Sequence, residues 1–144
     1  MAERDVSVVW KGDLGAGSGT ILDSPSGSLN NQQVTWASRT GEPAGNTSPE
    51  ELIAAAHASC FSMALAGALA DNGTPSTAVE TTATVHFVNV EGVPTITKSE
   101  LTARVTVPGL DDAAFQKIAA DTIKGCPVSR ALAGVEITLD AALA

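Results

Sequence analysis

The sequence predicts an α+β domain with the element order βββ-α-ββ-αα-β. A long central helix packs on antiparallel sheet. Two observations carry this. Residues 50–70 form one run without an internal proline, apolar on nearly every side, and ~30 Å long as a helix. Residues 77–90 and 95–107 alternate apolar and polar positions with a period of two, joined by the short link Glu91-Gly92-Val93-Pro94. A chain of 144 residues is the size of one domain, and no repeat or linker divides it, so 1–144 reads as a single unit.

The elements follow in order. Residues 4–10 (RDVSVVW) and 18–23 (SGTILD) read as short strands, with three glycines turning the chain between them. A Ser/Pro/Gly-rich turn over 24–30 leads to a third strand at 33–36. A polar loop over 38–48 (SRTGEPAGNTS) holds one arginine, Arg39. Ser48 is a suitable N-cap, Pro49 suits the first helical position, and Glu51 completes a capping box. The long helix stops at the turn-forming run 71–75 (DNGTP).

In the first long strand Val79, Ala83, Val85 and Phe87 share one face, and Glu80, Thr82, Thr84 and His86 the other. In the second, Leu101, Ala103, Val105 and Val107 alternate with Glu100, Thr102, Arg104 and Thr106. A helix over 111–124 is capped by Asp111 or Asp112 and carries a stripe of Phe115, Ile118, Ala119, Thr122 and Ile123. Gly125 ends it. Cys126-Pro127 opens a third helix through Ala133, and a last strand covers 135–140.

Composition excludes several classes. No apolar run reaches the ~18 residues of a membrane span, and the charged start lacks a signal peptide's apolar stretch, so a cytoplasmic protein is expected. A net charge of -8 with 3% aromatics offers neither a phosphate footprint nor stacking platforms, which argues against nucleic acid. Alanine supplies 24 of the apolar residues, and many fall on the long helix. A modest sheet cannot cover such a helix, so the composition points to a dimer with a shared core.

The chemistry-bearing residues are few. Cys60 lies mid-helix, where a free cysteine is either a small buried hydrophobe or a redox thiol. Cys126 lies at a helix start, where backbone N–H groups favour a thiolate. A disulfide closing the loop of 66 residues between them contributes ~4 kcal/mol in the chain-entropy model, but a purely structural bridge is out of place in a reducing cytosol. His57, three residues before Cys60, shares its helix face. It fits a satisfied core histidine, a Cys–His acyl-transfer site, or a zinc site with Cys60, Cys126 and His86. Glu50 is a favourable charge at a helix start or a site carboxylate. Arg39 is a surface cation or a site cation.

Residues 48–63 (SPEELIAAAHASCFSM) and 125–130 (GCPVSR) together resemble the osmotically inducible protein C and organic hydroperoxide resistance (OsmC/Ohr) family, and the order of elements agrees along the whole chain. The resemblance implies an intertwined, cofactor-free homodimer acting as a thiol peroxidase on organic hydroperoxides and hydrogen peroxide, in defence against oxidative or osmotic stress. It implies that Cys60 is the peroxidatic thiol, Cys126 the resolving thiol, and Glu50 the carboxylate at the helix start. The organic hydroperoxide branch keeps its site arginine in an early Gly-rich loop, and residues 13–19 (DLGAGSG) hold none. The OsmC branch has an arginine before the long helix, where Arg39 stands, so that branch is favoured. A thiol or dithiol reductant is implied, a lipoyl-type dithiol among the candidates. A thiol redox sensor and a Cys–His hydrolase are the alternatives.

Geometry adds one expectation. Glu50 and Cys60 are ten residues apart on one helix, ~15 Å along its axis. An arginine held by Glu50 therefore reaches Cys60 of a second copy more readily than its own, which predicts active sites shared across a dimer interface.

Overall fold

Antiparallel pairing of short alternating segments builds the first part of the chain. The structure, a computed structural model, describes residues 2–144. Close contacts group them into two units, one through Leu52 and one from Ile53 to Ala144. In the first, β1 (Ser7–Lys11), β2 (Ser18–Asp23) and β3 (Gln33–Val34) form a sheet in that order. Gly19 is required there, because a Cβ at that position would lie 2.5 Å from Val34 Cγ2 and 3.1 Å from the Trp10 ring.

The expected loop over 38–48 is helical at its start. Helix α1 (Trp36–Thr40) cuts the third strand to two residues and places Arg39 in its last turn. The cause is local. The Thr35 hydroxyl accepts from the Ser38 N–H, and the Ser38 hydroxyl accepts from the Thr35 N–H, a complete capping box.

Helix α2 (Pro49–Asp71) starts where Ser48 and Pro49 place it. Only half of its expected capping box forms. The Glu51 N–H donates to Ser48 Oγ at 3.1 Å, but the Glu51 carboxylate accepts from the Thr47 hydroxyl instead.

In the second unit β4 (Ala78–Val90) and β5 (Val93–Thr106) form the expected hairpin, turning at Glu91 and Gly92 with both φ positive. Helix α3 (Asp112–Gly125) is capped by the Asp111 carboxylate on the Ala114 N–H. Helix α4 (Pro127–Ala131) follows with Cys126 as its N-cap, and β6 (Glu136–Leu143) completes the sheet. β6 pairs with β5 in parallel, so this sheet is mixed rather than wholly antiparallel. The two helices of the crossover make parallel pairing possible.

The core of this unit joins Phe61, Leu65 and Leu69 of α2 to Leu101, Ala103 and Val105 of β5 and to Phe115 and Ala119 of α3. These α2 residues recur every four positions and bury one face. The all-round burial expected of α2 is therefore not met within one chain. Ala55, Ser59, Met63 and Gly67 line an exposed face, with Met63 70% exposed. By length and composition α2 is also apolar enough to cross a membrane, at a mean hydropathy of 1.7, against the expectation that no run would qualify. Its fully buried Phe61, Leu65 and Leu69 make it a core helix.

Candidate functional site

The four singled-out residues form two pairs, one in each unit. In the first unit Arg39 and Glu50 meet as a fork. Arg39 Nε donates to Glu50 Oε1 at 3.0 Å and to Oε2 at 3.2 Å, and Nη2 donates to Oε1 at 2.7 Å. This engagement of both carboxylate oxygens by a planar guanidinium is geometrically demanding, and lysine cannot reproduce it. The Trp36 ring lies beneath the guanidinium, 5.9 Å from its carbon. Glu50 is buried to 8% exposure, so the pair is held firmly while the Arg39 side chain stays partly open to solvent.

In the second unit the fold closes 66 residues of chain to bring the two thiols together. Cys126 donates its S–H to Cys60 Sγ at 3.3 Å, and both are free thiols. Cys60 sits three turns into α2 and is half-buried; Cys126 is fully buried at the junction of α3 and α4. Their electrostatics differ. Burial pushes the Cys60 thiol up, opposed by the Val128 N–H and reinforced by the neighbouring Cys126. Burial also pushes Cys126 up, but the N–H and hydroxyl of Ser129, with help from Cys60 and the Val128 N–H, more than offset it, and Cys126 is lowered. The lowered Cys126 pKa agrees with its place at the start of α4, although its side chain makes no capping hydrogen bond.

His57 takes part with neither sulfur directly. It is fully buried, with Nδ1 2.8 Å from Ser99 Oγ and Nε2 2.9 Å from Ser129 Oγ. Burial lowers its pKa, so it is a neutral core imidazole. This leaves no ring nitrogen for a Cys–His dyad or a zinc ion. His86 pairs with Glu100 on the polar strand face. Among the described residues no three His, Cys, Asp or Glu side chains gather to hold a metal.

Ser99 and Ser129 were not singled out by the sequence. Ser129 had a signal, since it is the third residue of a helix capped by a cysteine, where a hydroxyl turns back toward the cap. Ser99, 42 residues from His57, had none. Ser59 bonds back to the Ala55 carbonyl, and Ser62 bonds Thr81. Of the apolar neighbours expected in the core, Phe61 is buried and Met63 is exposed.

Known proteins share both the sequence and the architecture. The OsmC-like protein family model matches residues 41–140. The chain is 45% identical to the peroxiredoxin OsmC of Escherichia coli (strain K12) over 131 residues, which cover 91% of this chain and 90% of that one. The same values hold for the peroxiredoxin OsmC of Shigella flexneri. The fold resembles the crystal structure of the organic hydroperoxide resistance protein OhrB of Bacillus subtilis, at a TM-score of 0.70 and 26% identity, over 96% of this chain and 98% of that one. It also resembles the OsmC-like protein from Mycoplasma pneumoniae, at a TM-score of 0.74 and 14% identity, over 99% and 97% of the two chains. With that identity across nine-tenths of both sequences, this chain belongs to the OsmC-like protein family, on the side of the peroxiredoxin OsmC members.

Proposed function

We propose that this chain reduces organic hydroperoxides and hydrogen peroxide with Cys60 as the attacking thiol and Cys126 as the resolving one. It is a thiol-based peroxidase serving stress defence. The observation that carries the assignment of roles is the 3.3 Å contact between a half-buried and a fully buried thiol. An incoming peroxide meets Cys60 first, because Cys126 is closed to solvent.

The Cys60 thiolate attacks the distal peroxide oxygen. The S–O bond forms, the O–O bond breaks, and the alkoxide leaves with a proton as alcohol, or as water from hydrogen peroxide. Cys126 then attacks the sulfenic sulfur. The S–S bond forms, and the Cys126 proton leaves with the hydroxyl as water. A dithiol, of the lipoyl type, returns both thiols by exchange and becomes a disulfide itself.

Cys60 needs a cation to become the nucleophile, since burial raises its pKa while that of Cys126 is lowered. Arg39 of a second copy supplies it. Glu50 fixes Arg39 at the first turn of α2, ~15 Å along the axis from Cys60 on the same helix. In a two-fold dimer Arg39 and Glu50 of one copy face Cys60 and Cys126 of the other, and the guanidinium favours the Cys60 thiolate. The exposed apolar residues Val8, Trp10 and Leu22 of the first unit and Met63 of α2 support a covering copy. Residues 1–144 act as one OsmC-like domain, which the family match from 41 to 140 supports by running through both units, and the protein works in the cytoplasm.

Peroxide-dependent consumption of a dithiol by wild type, Cys60→Ser and Cys126→Ser tests the chemistry. The wild type is expected to turn over, Cys126→Ser to slow to the rate at which the dithiol itself reaches the Cys60 sulfenic acid, and full turnover by Cys60→Ser overturns the assignment. Mixing inactive Cys60→Ser and Arg39→Ala chains tests the sharing. Recovery of about half of one-site activity is expected, and no recovery refutes shared sites.

A further inference from the structure

The chemistry above leaves His57 idle, although it is fully buried and costly to bury. Both of its nitrogens are satisfied, and so is every other described side-chain polar atom shut off from solvent. The partners form a line: Ser99 Oγ, His57 and Ser129 Oγ are joined by hydrogen bonds, Ser129 is the third residue of the helix that Cys126 caps, and Cys60 lies 3.3 Å beyond the Cys126 sulfur. The Cys126 side chain makes no capping hydrogen bond in this resting thiol state. The line draws on β5, α2 and α4, so nothing local in the sequence demands it.

A neutral imidazole has one donor and one acceptor nitrogen, and each hydroxyl both donates and accepts. Two arrangements therefore satisfy every atom. In one, Ser99 donates to Nδ1 and Nε2–H donates to Ser129 Oγ. Ser129 cannot then donate to His57, and its proton is free to point at the Cys126 sulfur. In the other, Ser129 donates to Nε2, Nδ1–H donates to Ser99, and Ser129 offers the sulfur only lone pairs. The first suits a thiolate and the second a thiol. His57 stays uncharged in both.

We infer that His57 is a positioning residue for the resolving step: through Ser129 it aims a hydroxyl donor at Cys126 when that sulfur must act as a thiolate. The role rests on the peroxidase reading, but the hydrogen-bond line does not. Other titratable groups around Cys126 are few. Cys60 faces it from α2, and the exposed Lys124 and Arg130 flank it on its own segment. The core residues beside it, Phe115 and Ala119 of α3 and Leu101 and Ala103 of β5, carry no charge.

Cys60→Ser leaves Cys126 as the sole thiol of the chain, so its ionisation is readable by ultraviolet thiolate absorbance against pH. In that background Ser129→Ala and His57→Leu are expected to raise the Cys126 pKa by about one unit, a tenfold loss of thiolate below the transition. His57→Gln, whose amide N–H can donate in place of Nε2–H, is expected to restore most of it. An unmoved pKa in folded Ser129→Ala, or a Gln variant no better than Leu, overturns the inference. Should His57→Leu fail to fold by thermal melting, Ser129→Ala and His57→Gln carry the test. With Cys60 restored, Ser129→Ala is expected to raise the ratio of trapped sulfenic acid to disulfide after one equivalent of peroxide. A raised pKa with no sulfenic acid formed at all leaves the line standing and refutes the peroxidase reading; a normal ratio refutes the positioning role.

Discussion

The Arg39–Glu50 pair and the Cys60–Cys126 pair solve opposite problems. The first unit holds a permanent cation, clamped by a buried carboxylate eleven residues away and floored by Trp36. The second unit holds two thiols with only neutral donors around them, chiefly the N–H groups of Val128 and Ser129 and the Ser129 hydroxyl. Neutral donors favour the buried Cys126, while a peroxide must be met at the half-buried Cys60. Under the proposed mechanism this contrast explains why a thiol pair alone is an incomplete site and needs the clamped Arg39 of a second copy.

The largest effect should come from Cys60→Ser, which removes the attacking sulfur and abolishes peroxide turnover. Arg39→Ala should lower kcat/KM by about 10²–10³-fold, the range found on deleting a preorganised hydrogen-bond donor, and leave a buried Glu50 carboxylate unpaired, destabilising the fold by about 1–3 kcal/mol. Steady-state kinetics and thermal melting separate the two consequences. If Arg39→Lys is as active as wild type, the fork geometry is irrelevant and the contrast weakens. Cys126→Ser should give one fast turnover and then depend on external thiol for each cycle, visible as a burst in stopped-flow. Met63→Glu changes a side chain exposed in the single chain, so it should leave the protomer folded and shift the proposed dimer toward monomer in light scattering.

The smallest effect concerns acid. Burial lowers the His57 pKa relative to the unfolded chain, so below about pH 6.5 the unfolded state binds the extra proton. The stabilisation is complete above that pH and is lost as pH falls through the lowered folded value. A urea-melt series should show this acid loss in wild type, and His57→Gln should flatten it.

Legibility followed range along the chain. Caps and turns were readable, since Ser48, Pro49 and Asp111 act on the next few residues, and the β4–β5 alternation is a property of each strand by itself. Helix α1 was missed although its Thr35–Ser38 box is local, because five residues show no helical periodicity. The parallel pairing of β6 was missed because its direction is set by the α3–α4 crossover and not by its own residues. The exposed face of α2 was hidden by alanine, which suits buried and open positions alike. Cys60 and Cys126 stand out by type and position, whereas Arg39 and Glu50 take site roles only from the family resemblance. Ser99 and Ser129 do not stand out, since a serine declares itself only through its partner.

The central claim is that Cys60 meets the peroxide and Cys126 resolves it. One equivalent of hydroperoxide added to Cys126→Ser, followed by mass mapping of the oxidised residue, tests it most directly. The account predicts one oxygen on Cys60, trappable as sulfenic acid, and in wild type a single Cys60–Cys126 disulfide. An unoxidised Cys60, or a sulfenic acid on Cys126 in the Cys60→Ser chain formed at the wild-type rate, would contradict it.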